Sequence, residues 1–202
     1  MSRVIVFILV LACLLLPLAA AAATVPSAAN SIGKQLDQQL MMRYAGAEDP
    51  STSRKQQEAV ARAQIFIMGT TPADINDLNR TSPLARQMTE EVSRWLMAAG
   101  YRYQELRTGK YIRFDRRSGE LILTREVNRL TSRMGTAPVL LAGTYLVSGG
   151  QVRFTMSLIH AGSREVLAKA TATVPFTDDI YGLLEDPMPG SGTTPSTYTR
   201  LQ

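Results

Sequence analysis

Specialised chemical side chains are scarce in this 202-residue chain, which has one histidine, His160, and one cysteine, Cys13. A zinc site takes at least three protein ligands, and an activated nucleophile needs a base within hydrogen-bond reach, so His160 alone supplies neither. It falls at a predicted hairpin turn, where a surface polar residue is the plain reading. Asp74, Asn76, Asp77 and Asn79 crowd a single loop, and oxygen side chains at such spacing can hold Ca²⁺. A calcium loop, however, carries a glycine and a distant glutamate at set offsets that this segment lacks. Asx turns and helix capping are therefore the preferred role for these side chains. Sequence spacing does not reveal a converging carboxylate pair of the glycosidase kind. The motifs G-x-x-x-x-G-K-[ST], G-x-G-x-x-G and G-x-S-x-G do not occur, and the glycines fall at turns and helix ends. The expectation is a protein that is not an enzyme, with no catalytic residues, no metal and no cofactor.

Charge offers a different kind of site. Arg102, Arg107, Lys110, Arg113, Arg116, Arg117, Arg125, Arg129 and Arg133 concentrate in the middle third, with Tyr101, Tyr103, Tyr111 and Phe114 among them. Such a segment can form an electrostatic docking surface; alternating solvated positions on strands and a helix give the same pattern, and edge strands use such charges to resist aggregation. Arg113, Arg116 and Arg117 are the candidate partner-binding residues here.

The N-terminus sets the compartment. Arg3 is the only charge in the first 33 residues, followed by an apolar stretch from Val4 to Leu16, Pro17, and Ala19 to Ala23. A short positive start, an apolar centre and a small-residue cleavage zone make a secretory signal peptide over 1–23, with the mature chain starting near Thr24. The apolar run is short for a membrane span. Cys13 follows Val10-Leu11-Ala12, a partial match to a lipoprotein acceptor sequence. The apolar run continues past it, so Cys13 is expected to leave with the leader and the mature chain to contain no thiol. Losing Arg3 takes one from 22 basic residues against 17 acidic ones, a net charge of +4. An exported protein rarely meets nucleic acid, so anionic lipid, cell-wall polymer or an acidic protein suits that charge better.

The remaining chain suits one domain with an extension. Thr24 to Asn30 reads as a spacer, and Ile32, Leu36, Leu40 and Tyr44 then mark a helix of about 14 residues. Asp49-Pro50 breaks it, and Ser53 caps a second helix to Ala63, so 24–63 forms a helical N-terminal extension that either packs on the domain or reaches a partner. The domain itself spans 64–177. Ile65 to Met68 is a continuous apolar run, as for a strand buried on both faces. After a polar loop from Gly69 to Thr81, Ser82-Pro83 opens a helix carrying Leu84, Met88, Val92, Trp95 and Leu96 on one face, with Gly100 as its stop. Strands are predicted over Tyr101–Leu106, Tyr111–Asp115 and Glu120–Leu123, with Arg116 to Gly119 as a turn. A short helix capped by Thr124 and closed by Gly135 follows. Val139–Val147, Val152–Ile159 and Glu165–Val174 form an antiparallel three-strand meander turning at Ser148-Gly149-Gly150 and at His160 to Arg164. From Asp178 to Gln202 the Pro, Gly, Ser and Thr content predicts a disordered tail. The fold class is α+β, a mixed sheet ending in the meander with helices on one face.

The segment Asp74-Ile75-Asn76-Asp77-Leu78-Asn79-Arg80-Thr81-Ser82-Pro83-Leu84 resembles the signature of the FlgO-domain family, in which a first strand leads through a similar D-L-N-x-T-S-P-L loop into a helix. Leu121-Ile122-Leu123-Thr124-Arg125-Glu126 resembles the family's approach to its second helix, and Ala142-Gly143-Thr144-Tyr145 its G-T-Y strand. The resemblance covers about Ile65 to Pro175. It implies an outer-membrane-associated, non-enzymatic protein linked to flagellar assembly or motility, placed in the periplasm or at the outer membrane. Its implied partners are envelope or flagellar structural proteins, with a homo-oligomer and peripheral membrane association compatible and nucleic acid excluded. Asn79 and Thr81 of the matching loop join the arginines as candidate partner-binding residues. A periplasmic ligand-binding or regulatory module, acting on cell-wall synthesis or translocation, is the alternative expectation.

Overall fold

A computed structural model describes residues 24–45, 52–106, 112–114, 121–123 and 138–185. The turn expected at Arg116 to Gly119 and the helix expected after Thr124 lie outside those residues.

The first helix, α1 (Val25–Tyr44), starts earlier than its Ile32-to-Tyr44 stripe predicts. Thr24 caps it, its hydroxyl accepting from the Ser27 N–H at 3.4 Å, and Pro26 sits in the first turn, where a missing N–H costs nothing. The residues taken for a spacer are thus its opening turns. Val25, Ala28, Ala29, Ile32, Leu36 and Leu40 are all buried along one side. Ser53 opens α2 (Arg54–Gln64), its N–H donating to Gln56 Oε1 at 3.3 Å. This helix buries only Ala61.

Ile65 ends α2, so β1 (Phe66–Gly69) begins one residue later than expected. β2 (Ala73–Asp74) is a short addition in the polar loop. The Ser82 hydroxyl accepts from the Ala85 N–H at 3.2 Å and caps α3 (Pro83–Ala98), whose Leu84, Met88, Val92 and Leu96 are fully buried. Then come β3 (Arg102–Glu105), β4 (Ile112–Phe114), β5 (Leu121–Leu123), β6 (Val139–Ser148), β7 (Gln151–His160) and β8 (Val166–Pro175). The predicted tail does not begin at Asp178: α4 (Asp178–Leu184) is capped by Thr177 and buries Ile180 next to α3.

The main sheet runs β3-β1-β6-β7-β8, with β2 also beside β6; β4 and β5 form a separate antiparallel pair. β1 is parallel to β3 and β6, while β6, β7 and β8 are antiparallel, so the α+β mixed sheet expected from the sequence is present. Ser148 faces Gln151 across a two-residue turn in which Gly149 (φ 59°) and Gly150 (φ 73°) are both left-handed, the requirement of a type I′ hairpin. Val152, Phe154, Met156 and Leu158 of β7 face a core shared with α1 and α3. Ile67 of β1 joins that core while its neighbour Met68 joins a second cluster with Leu106, Leu140 and Ala161, which accounts for the continuous apolar run. Because α1 contributes Ile32, Leu36 and Leu40 to the principal core, it is part of the folded unit rather than a free arm.

Candidate functional site

The polar loop between β1 and α3 leaves the sheet where β1 ends. Thr70 turns back onto β6, its N–H and hydroxyl both donating to the Leu141 carbonyl, at 2.9 and 3.0 Å. Ala73 and Asp74 run beside Thr144 and Tyr145, and the Ile75 N–H donates to the Tyr145 carbonyl at 3.0 Å. Two Asx turns then shape the tip. Asp74 Oδ1 accepts from the Asn76 N–H at 2.9 Å, and Asp77 Oδ1 from the Asn79 N–H at 3.2 Å. The Asp74 N–H closes the loop on the Arg80 carbonyl at 2.8 Å. These oxygens hold the backbone, as the turn chemistry predicts, and among the described residues no group of three or more His, Cys, Asp or Glu side chains could hold a metal ion.

Of the loop's candidate residues, Asn79 is exposed and Thr81 half-buried just before the Ser82 cap. Ile75, at 52% exposure, is an apolar side chain on the same rim that the sequence reading did not single out. Arg113 lies on β4 with Ile122 opposite, whereas Arg116 and Arg117 lie outside the described residues. Asn79 and Thr81 therefore share one loop, and nothing described brings the three arginines to it. His160 Nδ1 accepts from the Ser163 N–H at 3.0 Å and lies 2.9 Å from the Ser163 hydroxyl, inside its own hairpin turn.

A family model described as FlgO protein matches residues 51–179, more than half of the sequence. The chain belongs to the FlgO family. No curated protein matches this FlgO-family sequence. Solved structures similar to it include the LpoB C-terminal domain from Salmonella enterica, at 7% identity and a TM-score of 0.34, covering 71% of this chain and 97% of that one. The same domain from Escherichia coli gives 10% identity and a TM-score of 0.32, covering 70% and 96%. Lipoprotein GNA1162 from Neisseria meningitidis gives 15% and 0.36, covering 58% of this chain and 90% of that one. Likenesses of that order identify no partner or ligand for this chain.

In this FlgO chain the matched region starts after α1, yet a polar junction ties α1 to it. Arg62 of α2 grips Asp37 of α1 with two bonds, Nε to Oδ1 at 2.7 Å and Nη2 to Oδ2 at 2.9 Å. The Tyr101 hydroxyl, just before β3, donates to the same Oδ1 at 2.7 Å. Glu58 accepts a further bond from Arg62 at 3.2 Å. Asp37 raises the Arg62 pKa further above its ordinary range, and the Arg54 hydrogen bond leads in lowering that of Glu58. Sequence reasoning missed this cluster because its members lie on three separate segments.

Tyr101 of this cluster and Tyr103 of β3 carry a pH signature. Burial first, and the bond to Asp37 second, push the Tyr101 phenol well above its ordinary value of 10.0. Burial, and then Glu105, do the same to Tyr103, whose hydroxyl is buried against Gly69 without a hydrogen-bond partner among the described residues. The unfolded chain therefore releases these protons before the folded one. Their stabilising effect is complete below pH 10, and is lost as pH rises through the folded-state values. Urea titrations above pH 10 are expected to show stability falling by up to about 1.4 kcal/mol per pH unit for each phenol, with Tyr101→Phe and Tyr103→Phe each shallower. Equal alkaline slopes in all three proteins would refute this.

Proposed function

We propose that this protein is a non-enzymatic component of the bacterial cell envelope that supports assembly or anchoring of a surface structure, the flagellum in the first instance, at the outer membrane. The observation that carries the reading is membership of the FlgO family over residues 51–179. The leader-like N-terminus supports export, and none of the described helices is long and apolar enough to cross a membrane. The loop from Gly69 to Ser82 is the docking surface. Its internal hydrogen bonds fix the backbone, so a partner meets a rim already ordered, which lowers the entropic cost of binding. Exposed Ile75 gives that rim an apolar anchor among polar neighbours.

Deleting the gene in its native host should reduce spread in soft agar and the number of flagella seen by electron microscopy. An Ile75→Asp variant expressed in the deletion strain should fail to restore motility while melting at the parental temperature. Normal swimming by the deletion strain would overturn the flagellar reading, and altered sensitivity to cell-wall inhibitors in that strain would favour the regulatory alternative.

A further inference from the structure

The four described helices all pack on one side of the main sheet, through Ile32 of α1, Ala61 of α2, Leu84 of α3 and Ile180 of α4. Along β6, β7 and β8 the opposite side carries no helix among the described residues. The outer edge of β8 is closed by α1, since Gln39 Nε2 donates to the Lys169 carbonyl at 2.8 Å and Gln35 Nε2 to the Thr171 carbonyl at 3.0 Å. What remains is a face, and its charge is of one sign. No aspartate or glutamate occurs in these three strands, whose only arginine and lysine are Arg153 and Lys169. Val152, Phe154, Met156 and Leu158 turn into the core, so alternation sends Arg153, Thr155 and Ser157 the other way. Buried Ala168 and Ala170 place Lys169 and Thr171 likewise, with Thr171 opposite Thr155 and Lys169 opposite Ser157. On β6, Thr144 lies opposite Thr155. A row of three hydroxyls, Thr144, Thr155 and Thr171, thus crosses the sheet between the two cations. Four residues along one strand and one strand across put those cations about 14 Å apart. Both are exposed, and neither forms an ion pair among the described residues.

We propose that this helix-free face binds a carboxylate-bearing cell-wall polymer, peptidoglycan, laid across the threonine row. Charge complementarity selects a polyanion, because the three strands present cations and no carboxylate. A small anion would engage one cation and leave the other idle. An extended chain of repeated carboxylates, hydroxyls and amides reaches both, and meets the hydroxyls between them as donors and acceptors. The rows from Arg153 to Ser157 carry no exposed aromatic or large aliphatic side chain, the anchor that a protein interface or a lipid surface uses. An exported chain meets the cell wall and rarely nucleic acid. The inference therefore rests on export, and not on the flagellar reading.

The test is co-sedimentation of the purified mature protein with purified peptidoglycan sacculi at low ionic strength. The parent is expected to pellet with the sacculi and to be released as salt is raised. Arg153→Glu/Lys169→Glu should lower the bound fraction at least about fivefold, through two lost attractions and two new repulsions. Lys34→Glu/Lys55→Glu, the same charge change at exposed positions of α1 and α2, should bind like the parent. Thr155→Val/Thr171→Val keeps the side-chain shape, removes two hydroxyls and should weaken binding about two- to fivefold. A parent that stays in the supernatant would overturn the proposal, as would equal losses in the two charge-reversed proteins or parental binding by the valine variant. Capture by phosphatidylglycerol vesicles without capture by sacculi would also overturn it, and would point to a lipid surface instead. Should the glutamate variant lose its cooperative unfolding transition, Arg153→Gln/Lys169→Gln carries the same test with the same outcomes.

Discussion

Ile32→Asp, and separately Leu40→Asp, is expected to abolish the cooperative unfolding transition or to lower stability by at least about 4 kcal/mol in urea denaturation. Both side chains are fully buried on the stripe of α1 that joins the principal core. A carboxylate at either position loses the apolar burial and must either ionise inside the apolar core or take up a proton. Total stability for a domain of this size is about 5–15 kcal/mol, so one such change removes much or all of it. Leu36→Ala, which leaves a cavity but no charge, should cost less, about 2–5 kcal/mol. Lys34→Asp on the exposed side of the same helix should stay within about 0.5 kcal/mol. Were α1 a detachable arm, both aspartates would leave the melting of the sheet untouched, so the experiment separates the two arrangements sharply.

What could be read from the sequence was what local rules govern. Ser82-Pro83 places a cap and a first-turn proline side by side, and the apolar face of α3 follows at helical spacing, so that helix was legible to its first residue. The meander was legible because β7 alternates and Gly149-Gly150 suits a tight hairpin. The start of α1 was obscured because Ala28 and Ala29 look like linker residues, although both are buried in the principal core. Asp178 to Leu184 is obscured in the sequence by the Pro-, Gly-, Ser- and Thr-rich stretch that follows it; Ile180 is buried, and Leu183 and Leu184 pack against the principal core.

The site was less legible than the fold. Asn79 and Thr81 were found through the family-like loop, and the structure shows that loop held by its own Asx turns and by backbone bonds to β6. Ser31, Gln35, Gln39 and Arg43 recur every four residues, a polar row beside the Ile32-Leu36-Leu40 stripe that spacing could have exposed. Its strand partners lie more than a hundred residues away, and no local pattern names them.

Gly33 carries the second large effect, because helix propensity and packing there pull in opposite directions. In the interior of an exposed helix, replacing glycine by alanine gains about 1 kcal/mol. At Gly33 a Cβ would lie 2.5 Å from two ring carbons of Trp95 and 2.9 Å from a third. The indole is rigid and packs against the principal core, so relief requires α1 to move away from α3. Overpacking of this kind costs about 1–3 kcal/mol or more, enough to exceed the propensity gain. Gly33→Ala is therefore expected to destabilise by about 1–2 kcal/mol, and Gly33→Leu by about 3 or more, in chemical denaturation. In a Trp95→Leu background the obstacle is gone, and Gly33→Ala should become stabilising by up to about 1 kcal/mol. That reversal, a coupling of about 2 kcal/mol between residues 33 and 95, cannot come from propensity alone, since propensity does not know what sits on α3. A Gly33→Ala protein as stable as the parent in both backgrounds would mean that the two helices do not pack this closely in solution.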